Sequence, residues 1–321
     1  MGDSGERLLG PEELAKLSQP PRADLADALA DGPEAAVEAF RRIDRAYRNF
    51  IDGFGAWIAQ TQRFVDERYG ADGLAMIGSA DAAYRSALLH GLTDEDVSGR
   101  HRPDRADAIA EFIESCDHEA ALAAFDALEA SYRRIHDVEG DRVASVLSQV
   151  YRAWGPDVLE ESIRFAGEQT LLGWMPHDVA RPAEARVRQW AAMQKGNFAD
   201  ITVEETDDAF VITVHLCGTC GRQVSDGCYG ENLDLAVVAE DHPLTFGKGP
   251  APIYRTHVSV MHFWVPMERT GVPWPVIQCP TGMDAGPCRI TLFKDPAATP
   301  PEAYAFATGA SATGTPAAGS G

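Results

Sequence analysis

The chain has few basic residues. It carries 28 Lys and Arg against 49 Asp and Glu over 321 residues, which gives a formal net charge of −21. Nucleic acids and anionic membrane surfaces have the same sign of charge and would be repelled. We therefore expect no nucleic-acid partner and no membrane partner.

Long apolar runs are missing as well. No segment approaches the roughly 18 apolar residues that indicate a transmembrane helix. The first residues, MGDSGERLLGPEELAKL, lack the basic region and apolar run of a secretory signal. Both absences predict a cytoplasmic protein. In that compartment clustered cysteines favour metal binding or catalysis over disulfide bonds.

The chain divides into four segments by composition. We predict a flexible N-terminus over 1–21, which includes a short helix at 11–17, and a helical bundle over 22–194. A Cys- and His-rich α+β region then covers 195–298. Residues 299–321 are almost wholly Ala, Gly, Thr, Ser and Pro. Such a segment buries too little apolar surface to fold, so we predict a disordered tail.

The helical bundle contains an internal repeat. A shift of 85 residues aligns 34–77 with 119–162 without a gap. The identical pairs include Phe40/Phe125, Tyr47/Tyr132, Arg48/Arg133, Asp52/Asp137, Gly70/Gly155 and Asp72/Asp157. Each copy predicts a long helix, a glycine turn in the left-handed conformation, and a second helix. Two copies indicate a pseudo-symmetric bundle and are too few for a solenoid.

Charged residues recur in this repeat. Arg48 with Asp52, and Arg133 with Asp137, lie one helical turn apart and are interpreted first as salt bridges. The copies differ where Ile51 in the first becomes His136 in the second. A histidine beside Asp137 would serve as a general base if a cleft lies between the copies. His136 and Asp137 are therefore candidate catalytic residues.

From residue 195 onward the pattern changes to alternation. Segments 199–205 and 209–217 predict a β-hairpin, 231–239 predicts a short helix, and 252–264 and 287–294 predict two further strands. We therefore predict an α+β fold, in which the N-terminal duplicated helical bundle packs on a small C-terminal antiparallel β-sheet with a Cys/His cluster.

Five of the six cysteines lie between Cys217 and Cys288, and two histidines share that window. Thiolates and imidazoles are the ligands of zinc and iron sites. A Cys-x-x-Cys turn lets two sulfurs meet one ion, but the chain has no second close pair of this kind. The predicted zinc ligands are Cys217, Cys220, Cys228 and one of His257 or His262. Iron is the alternative metal.

Other interpretations of these residues stay open. Cys217 and Cys220 would also suit a redox-active dithiol, and buried thiols can be inert. His257, His262 and Glu268 would form a two-histidine, one-carboxylate iron triad, provided that a bulge brings the histidines to one side of their strand. Four protein ligands would make a metal structural, whereas three ligands and a water would make it catalytic.

The segment Gly286-Pro-Cys288-Arg-Ile-Thr-Leu-Phe places a cysteine at the start of the last predicted strand. A helical region followed by such a sheet resembles the L-2-amino-thiazoline-4-carboxylic acid hydrolase-like family. The resemblance covers mainly 130–294 and does not extend to the Cys217–Cys220 motif or to the duplicated helices. It implies hydrolysis, or a related reaction, of a small sulfur- or nitrogen-containing acid. It also implies Cys288 as a candidate catalytic residue.

The leading prediction is a cytoplasmic, metal-dependent enzyme, a hydrolase or related enzyme, that acts on a small-molecule substrate in a pocket between sheet and bundle. The candidate catalytic residues are His136, Asp137, Glu268 and Cys288. The alternatives are a non-catalytic interaction protein held together by structural zinc and a thiol redox protein that uses Cys217 and Cys220. The apolar, duplicated helices would also suit a homodimer.

Overall fold

A computed structural model of the protein describes residues 7–78, 80–92 and 103–308. Helices dominate as far as Gly196, and a small antiparallel sheet follows. This confirms the predicted α+β class. In the described ranges, no helix combines the length and the apolar character that crossing a membrane requires.

Eight helices of the described residues precede the sheet. They are α1 (Pro11–Ser18), α2 (Pro21–Asp31), α3 (Pro33–Met76), α4 (Ala80–Leu89), α5 (Pro103–Glu114), α6 (His118–Thr170), α7 (Met175–Val179) and α8 (Ala183–Gly196). The helix predicted over 11–17 is confirmed as α1. Residues 1–6 of the predicted flexible N-terminus lie outside the described residues.

The long helices α3 and α6 pack against each other, and each contains one glycine with a non-helical backbone. Gly70 has φ 66° and ψ −161°, and Gly155 has φ 84° and ψ −177°. This combination is open essentially to glycine alone and differs in ψ from the expected left-handed turn. The preceding rings, Tyr69 and Trp154, stack with centroids 4.3 Å apart. Both breaks fall at the matched positions of the repeat, whose origin by duplication stays a prediction.

The main sheet consists of β1 (Asp200–Glu205), β2 (Ala209–Leu216), β5 (Val276–Gln278) and β6 (Cys288–Phe293), antiparallel in the order β1-β2-β6-β5. This confirms the predicted hairpin and the strand predicted over 287–294. Phe210, Ile212 and Val214 alternate along β2 and pack with Trp190 of α8 in one core. The sheet is therefore covered on this face by α8.

The strand predicted over 252–264 is wrong. The chain there forms a 3₁₀ turn (Ile253–Arg255), α10 (Thr256–Ser259), a π-helical turn (Val260–Trp264) and α11 (Val265–Thr270). Val260 and Met261 are adjacent in sequence and both buried, which a strand with one buried face does not allow. Enclosure of the segment on several sides therefore overrides its β-branched composition.

The helix predicted over 231–239 is also wrong. That segment contains turns and then β3 (Val237–Val238), which pairs with β4 (Ala251–Pro252). Asp234 has φ 52°, which interrupts a helix. The remaining short helices are α9 (Cys220–Ser225), 3₁₀ turns at Pro243–Thr245, Pro296–Ala298 and Pro301–Tyr304, and α12 (Ala305–Thr308).

Part of the predicted disordered tail is ordered. Residues 299–308 include α12, and Phe306 meets the Phe246 ring with centroids 5.3 Å apart. One aromatic contact supplies burial that the composition as a whole does not indicate. Residues 309–321 lie outside the described residues.

Two cores meet near the end of β2. One lies between α3 and α6 and includes Leu147 and Ile163, and the other lies between the sheet and α8. Cys217, directly after β2, packs against both. The Cys-x-x-Cys motif therefore lies where the sheet meets the helical bundle.

Candidate functional site

Four cysteines from three parts of the chain come together at this junction. Cys217 and Cys220 are in side-chain hydrogen-bond contact, and so are Cys279 and Cys288. Cys288 also interacts electrostatically with Cys217 and Cys220. The two thiol pairs thus lie within electrostatic reach of each other, and we call these four residues the thiol cluster.

The strand register explains the second pair. Gln278 of β5 is paired with Arg289 of β6 in an antiparallel ladder. One step further along the ladder, Cys279 lies opposite Cys288. On its other side Cys288 is paired with Val214 of β2, near the strand end that leads to Cys217.

The turn from Cys217 to Cys220 is held in place by Asn197 at the end of α8. A Cβ atom added to Gly218 would lie 1.3 Å from the Asn197 carbonyl oxygen, so no other residue fits there. The Thr219 hydroxyl donates to Asn197 Oδ1 at 2.7 Å. On its far side the Thr219 methyl group faces Gly140 of α6, where an added Cβ would lie 2.8 Å away. The turn is therefore clamped between two helices.

Cys217 is the activated thiol of the cluster. Its pKa is lowered from 9.0 to about 5, chiefly by a hydrogen bond from the Cys220 thiol. Burial opposes this shift, and the backbone N–H groups of Gly221, Thr219 and Cys220 reinforce it. Asn197 Nδ2 also lies 4.0 Å from the sulfur. Cys217 is therefore a half-buried thiolate at neutral pH.

Cys220 has the opposite character. The hydrogen bond to Cys217 and burial both raise its pKa well above the ordinary value, so it stays protonated at neutral pH. Its side chain is buried. A thiolate and a protonated thiol therefore sit in direct contact, which is the division of roles that thiol–disulfide exchange requires.

Cys288, the candidate from the family resemblance, is a buried neutral thiol. Its hydrogen bond with Cys279 and its burial raise its pKa far above the ordinary value. A protonated thiol is a poor nucleophile. Cys279 is half-buried and is the more accessible member of this pair.

A buried guanidinium completes the cluster. Arg255 is 7% exposed and donates to the carbonyl oxygens of Pro280 and Gly282, each at 2.8 Å, and of Asp284 at 2.7 Å. Burial opposes its charge, but the nearby Cys220 and Cys279 sulfurs raise its pKa above the ordinary value. Within 7–78, 80–92 and 103–308, no carboxylate forms an ion pair with it. Its nearest side-chain partners in the described residues are therefore the sulfurs of the thiol cluster.

The predicted base His136 lies behind this turn. It is fully buried, with Nε2 2.9 Å from Asn197 Oδ1 and Nδ1 3.1 Å from Asp137 Oδ1. Asp137 also forms an ion pair with Arg222. Asn197 Oδ1 accepts from Thr219 and can accept from His136 only if Nε2 carries a proton. His136 and Asp137 therefore support Asn197 and, through it, the Cys217 turn.

The two predicted histidine ligands lie in an aromatic cluster. The rings of His257 and His262 are 5.5 Å apart, with Trp57 against the first and Trp190 against the second. The π-helical turn brings side chains five residues apart to the same side, without the bulge that a strand would need. Burial lowers the pKa of His257 to about 4 and that of His262 to about 3, so both are neutral.

The other candidates lie elsewhere. Cys228 is buried after α9, where burial and the charge of Asp141 raise its pKa. Glu268 is exposed on α11 and pairs with Arg164 at 2.5 Å. In the part of the chain that the structure describes, no three His, Cys, Asp or Glu side chains form a group that could hold a metal ion. The predicted ligand set is therefore not brought together, and zinc and iron stay predictions.

A cavity of about 240 Å³ adjoins the thiol cluster. Cys279 and Arg255 line its inner side, Leu244, Phe246 and Phe306 form its apolar wall, and the exposed Lys248 lies at its edge.

Sequence patterns did not indicate Asn197, Arg255 or the pairing of Cys279 with Cys288. A strand predicted before Cys279 would have indicated that pairing, but β5 has only three residues and follows Pro275.

No protein-family model matches this chain, and no curated protein or solved structure matches it either. The resemblance to the thiazoline-carboxylate hydrolase-like family therefore stays a prediction. The chemistry of the thiol cluster is the basis for assigning a function.

Proposed function

We propose that this protein is a thiol–disulfide oxidoreductase in which Cys217 is the nucleophile and Cys220 the second thiol. The observation that supports this most strongly is the contact between a thiolate, stabilised by backbone N–H groups, and a protonated thiol three residues away. This is the dithiol alternative among the functions that the sequence predicts.

The reaction moves two electrons. The Cys217 thiolate attacks one sulfur of a substrate disulfide, the substrate S–S bond breaks, and the other substrate sulfur leaves as a thiolate. Cys220 then loses its proton and attacks Cys217 Sγ. The Cys217–Cys220 disulfide forms, and the second substrate sulfur leaves and is protonated. The substrate is reduced to two thiols, and a cellular dithiol restores the protein.

Two polar side chains fit these steps. Arg255 lowers the cost of ionising Cys220, which must become a thiolate in the second step. Asn197 holds the turn and directs its Nδ2 group toward Cys217, because its Oδ1 atom accepts from Thr219 and His136. His136 and Asp137 act here as positioning residues.

A soft metal ion is the second candidate for this site. The observation in its favour is the Cys217–Cys220 pair, since two cysteines three residues apart can meet one ion. In the described residues no third His, Cys, Asp or Glu side chain joins them in a group that could hold an ion, so such a site would need Cys279 and Cys288 to move closer. Metal analysis of freshly purified protein, with Cys217→Ser as control, tests it. Stoichiometric metal that this substitution removes would favour the metal-dependent role over the dithiol.

Of the remaining predictions, the cytoplasmic location suits a dithiol. A cytoplasmic, reducing setting would keep Cys217 and Cys220 available as thiols. We also infer that the bundle arose by duplication, supported by the matched breaks at Gly70 and Gly155. Association of two chains through the helical face stays a prediction.

A trapping experiment tests the oxidoreductase. Reduced protein is mixed with an excess of a small organic disulfide, quenched with acid and mapped by mass spectrometry. All variants also carry Cys116→Ser, because Cys116 is an exposed thiol outside the cluster and would react with the disulfide. We expect a Cys217–Cys220 disulfide. With Cys220→Ser we expect Cys217 to stop in a disulfide with whichever sulfur it has attacked. A chain that never links Cys217 to Cys220 contradicts the proposal.

A further inference from the structure

We propose that Cys279 and Cys288 form a second dithiol, which passes electrons from Cys217–Cys220 to a small anionic disulfide bound in the cavity beside Cys279. This inference rests on the proposed function and adds to it a route and a substrate class. It assigns the two cysteines that the oxidoreductase reaction at Cys217 leaves unused.

The ladder geometry allows this pair to close. Residues directly opposite each other in an antiparallel ladder have Cα atoms about 4.5 to 5.5 Å apart. A disulfide spans Cα separations of about 4.4 to 6.8 Å. Cys279 and Cys288 lie one step beyond the paired residues Gln278 and Arg289, and their thiols are already in hydrogen-bond contact. The pair can therefore oxidise without a change in strand register.

Disulfide exchange between the two pairs would take place at the Cys288 sulfur. It contacts Cys279 on one side and lies within electrostatic reach of Cys217 on the other. Cys279 is half-buried and lines the cavity, whereas Cys288 is buried. A substrate therefore meets Cys279 first, and the Cys217 thiolate meets Cys288.

The electrons pass to the substrate in two successive disulfide exchanges. In the cavity, Cys279 as a thiolate attacks the substrate disulfide and releases one substrate thiolate. Cys288 then loses its proton, attacks Cys279, and releases the second substrate thiolate as the Cys279–Cys288 disulfide forms. Next, the Cys217 thiolate attacks Cys288, and Cys279 leaves as a thiolate. Cys220 loses its proton and attacks Cys217, and Cys288 leaves and is protonated. Two electrons have then passed from Cys217–Cys220 to the substrate.

Arg255 is placed to stabilise these intermediates. Its charge acts on both Cys220 and Cys288, the two buried sulfurs that must ionise in turn. Its hydrogen bonds to the carbonyl groups of Pro280, Gly282 and Asp284 fix the loop that joins Cys279 to Cys288. One buried cation therefore serves both pairs and fixes their spacing.

The cavity sets the substrate class. Its volume of about 240 Å³ is below the 300 to 1,000 Å³ or so typical of drug-sized ligands. Phe246 and Phe306 offer apolar contact, and the Lys248 ammonium is exposed. Lys195 and Lys294 each form an ion pair with a carboxylate. Lys248, by contrast, has no carboxylate partner in the described ranges. These features suit a small, partly apolar disulfide that carries a carboxylate.

The identity of the sulfur to which Cys217 becomes linked tests the proposed route of the electrons. Dithionitrobenzoate, an aromatic disulfide with two carboxylates, is mixed with reduced Cys220→Ser protein in the Cys116→Ser background. We expect Cys217 to be linked to Cys288. A link between Cys217 and the probe itself would overturn the relay but would still agree with the proposed oxidoreductase function. Absence of any Cys217 adduct would contradict the oxidoreductase itself.

A second variant tests the relay without any substitution at Cys220. Cys279 is half-buried, so Cys279→Ser should preserve the fold, as checked by circular dichroism. We expect this substitution to slow formation of the Cys217–Cys220 disulfide at least about tenfold, because the first exchange step is lost. An unchanged rate would overturn the relay.

The charge at the cavity edge tests the substrate class. Lys248→Gln should slow the reaction with dithionitrobenzoate about fivefold, because it removes one exposed cation near an anionic ligand. It should leave the rate of the reaction with uncharged dithiodipyridine unchanged. Lys16→Gln, another exposed lysine, is the matched control. Equal effects of Lys248→Gln on both probes would contradict an anion-selective cavity.

Discussion

The lowered pKa of Cys217 depends first on the Cys220 thiol, and removal of that donor gives a quantitative prediction. A hydrogen bond to a charged group contributes about 1.5 to 3 kcal/mol. One pKa unit corresponds to about 1.4 kcal/mol. Cys220→Ala should therefore raise the pKa of Cys217 from about 5 by about 1 to 2 pH units. Cys220→Ser retains a donor and should raise it less.

The assay is the rate at which iodoacetamide alkylates Cys217, followed by mass spectrometry as a function of pH. Only the thiolate reacts, so the midpoint of the rate profile reports the pKa. Cys228→Ser is the matched control, because Cys228 is a buried thiol whose electrostatic partners are Asp141 and its neighbours. A wild-type midpoint close to the ordinary 9.0, or an unchanged midpoint in Cys220→Ala, would refute this account of Cys217.

Three further predictions concern stability. Gly218→Ala should destabilise the fold by more than about 3 kcal/mol, because the added Cβ would lie 1.3 Å from the Asn197 carbonyl oxygen. Gly53→Ala in a helix, with nothing within 4 Å, should be neutral or stabilising in the same thermal denaturation. Asn197→Ala should cost about 1 to 3 kcal/mol in urea, since it removes the acceptor of Thr219; a loss below about 0.5 kcal/mol would contradict the clamp. Because folding lowers the pKa of Cys217, its ionisation should stabilise the fold fully above pH 9.0 and lose that effect as pH falls toward about 5. The chain with Cys217→Ser should lack this part of the pH dependence of the unfolding free energy.

Much of the architecture follows from local patterns. Alternation along 199–217 predicted the hairpin and its buried face, because Phe210 and Ile212 lie on one side of a strand whatever the rest of the chain does. The recurring apolar spacing predicted the long helices, and the two matched glycines predicted where the backbone would depart from helical geometry. These features depend on neighbours in sequence.

Features that depend on distant neighbours could not be predicted. The segment 252–264 is rich in β-branched and aromatic residues, yet it is buried on several sides and becomes helical. Cys279 is nine residues from Cys288 and meets it only through the ladder between β5 and β6. Asn197 is an unremarkable residue in sequence, and its role arises from the close approach of Gly218.

The candidate site was therefore predicted in part. The sequence singled out the Cys217-x-x-Cys220 motif, with a dithiol among its interpretations, and the structure places the two thiols in contact. The zinc ligand set joined side chains that lie in separate environments, since His257 and His262 are enclosed by aromatic rings and Cys228 lies near Asp141. Spacing along the chain does not encode which of several thiols converge.

A redox titration of Cys217 and Cys220 tests the central claim most directly. The protein is equilibrated in mixtures of a reduced and an oxidised dithiol, quenched with acid and mapped by mass spectrometry. The account predicts that a Cys217–Cys220 disulfide forms and is reduced reversibly in one two-electron transition. Persistence of both residues as free thiols across the whole range of mixtures would contradict it.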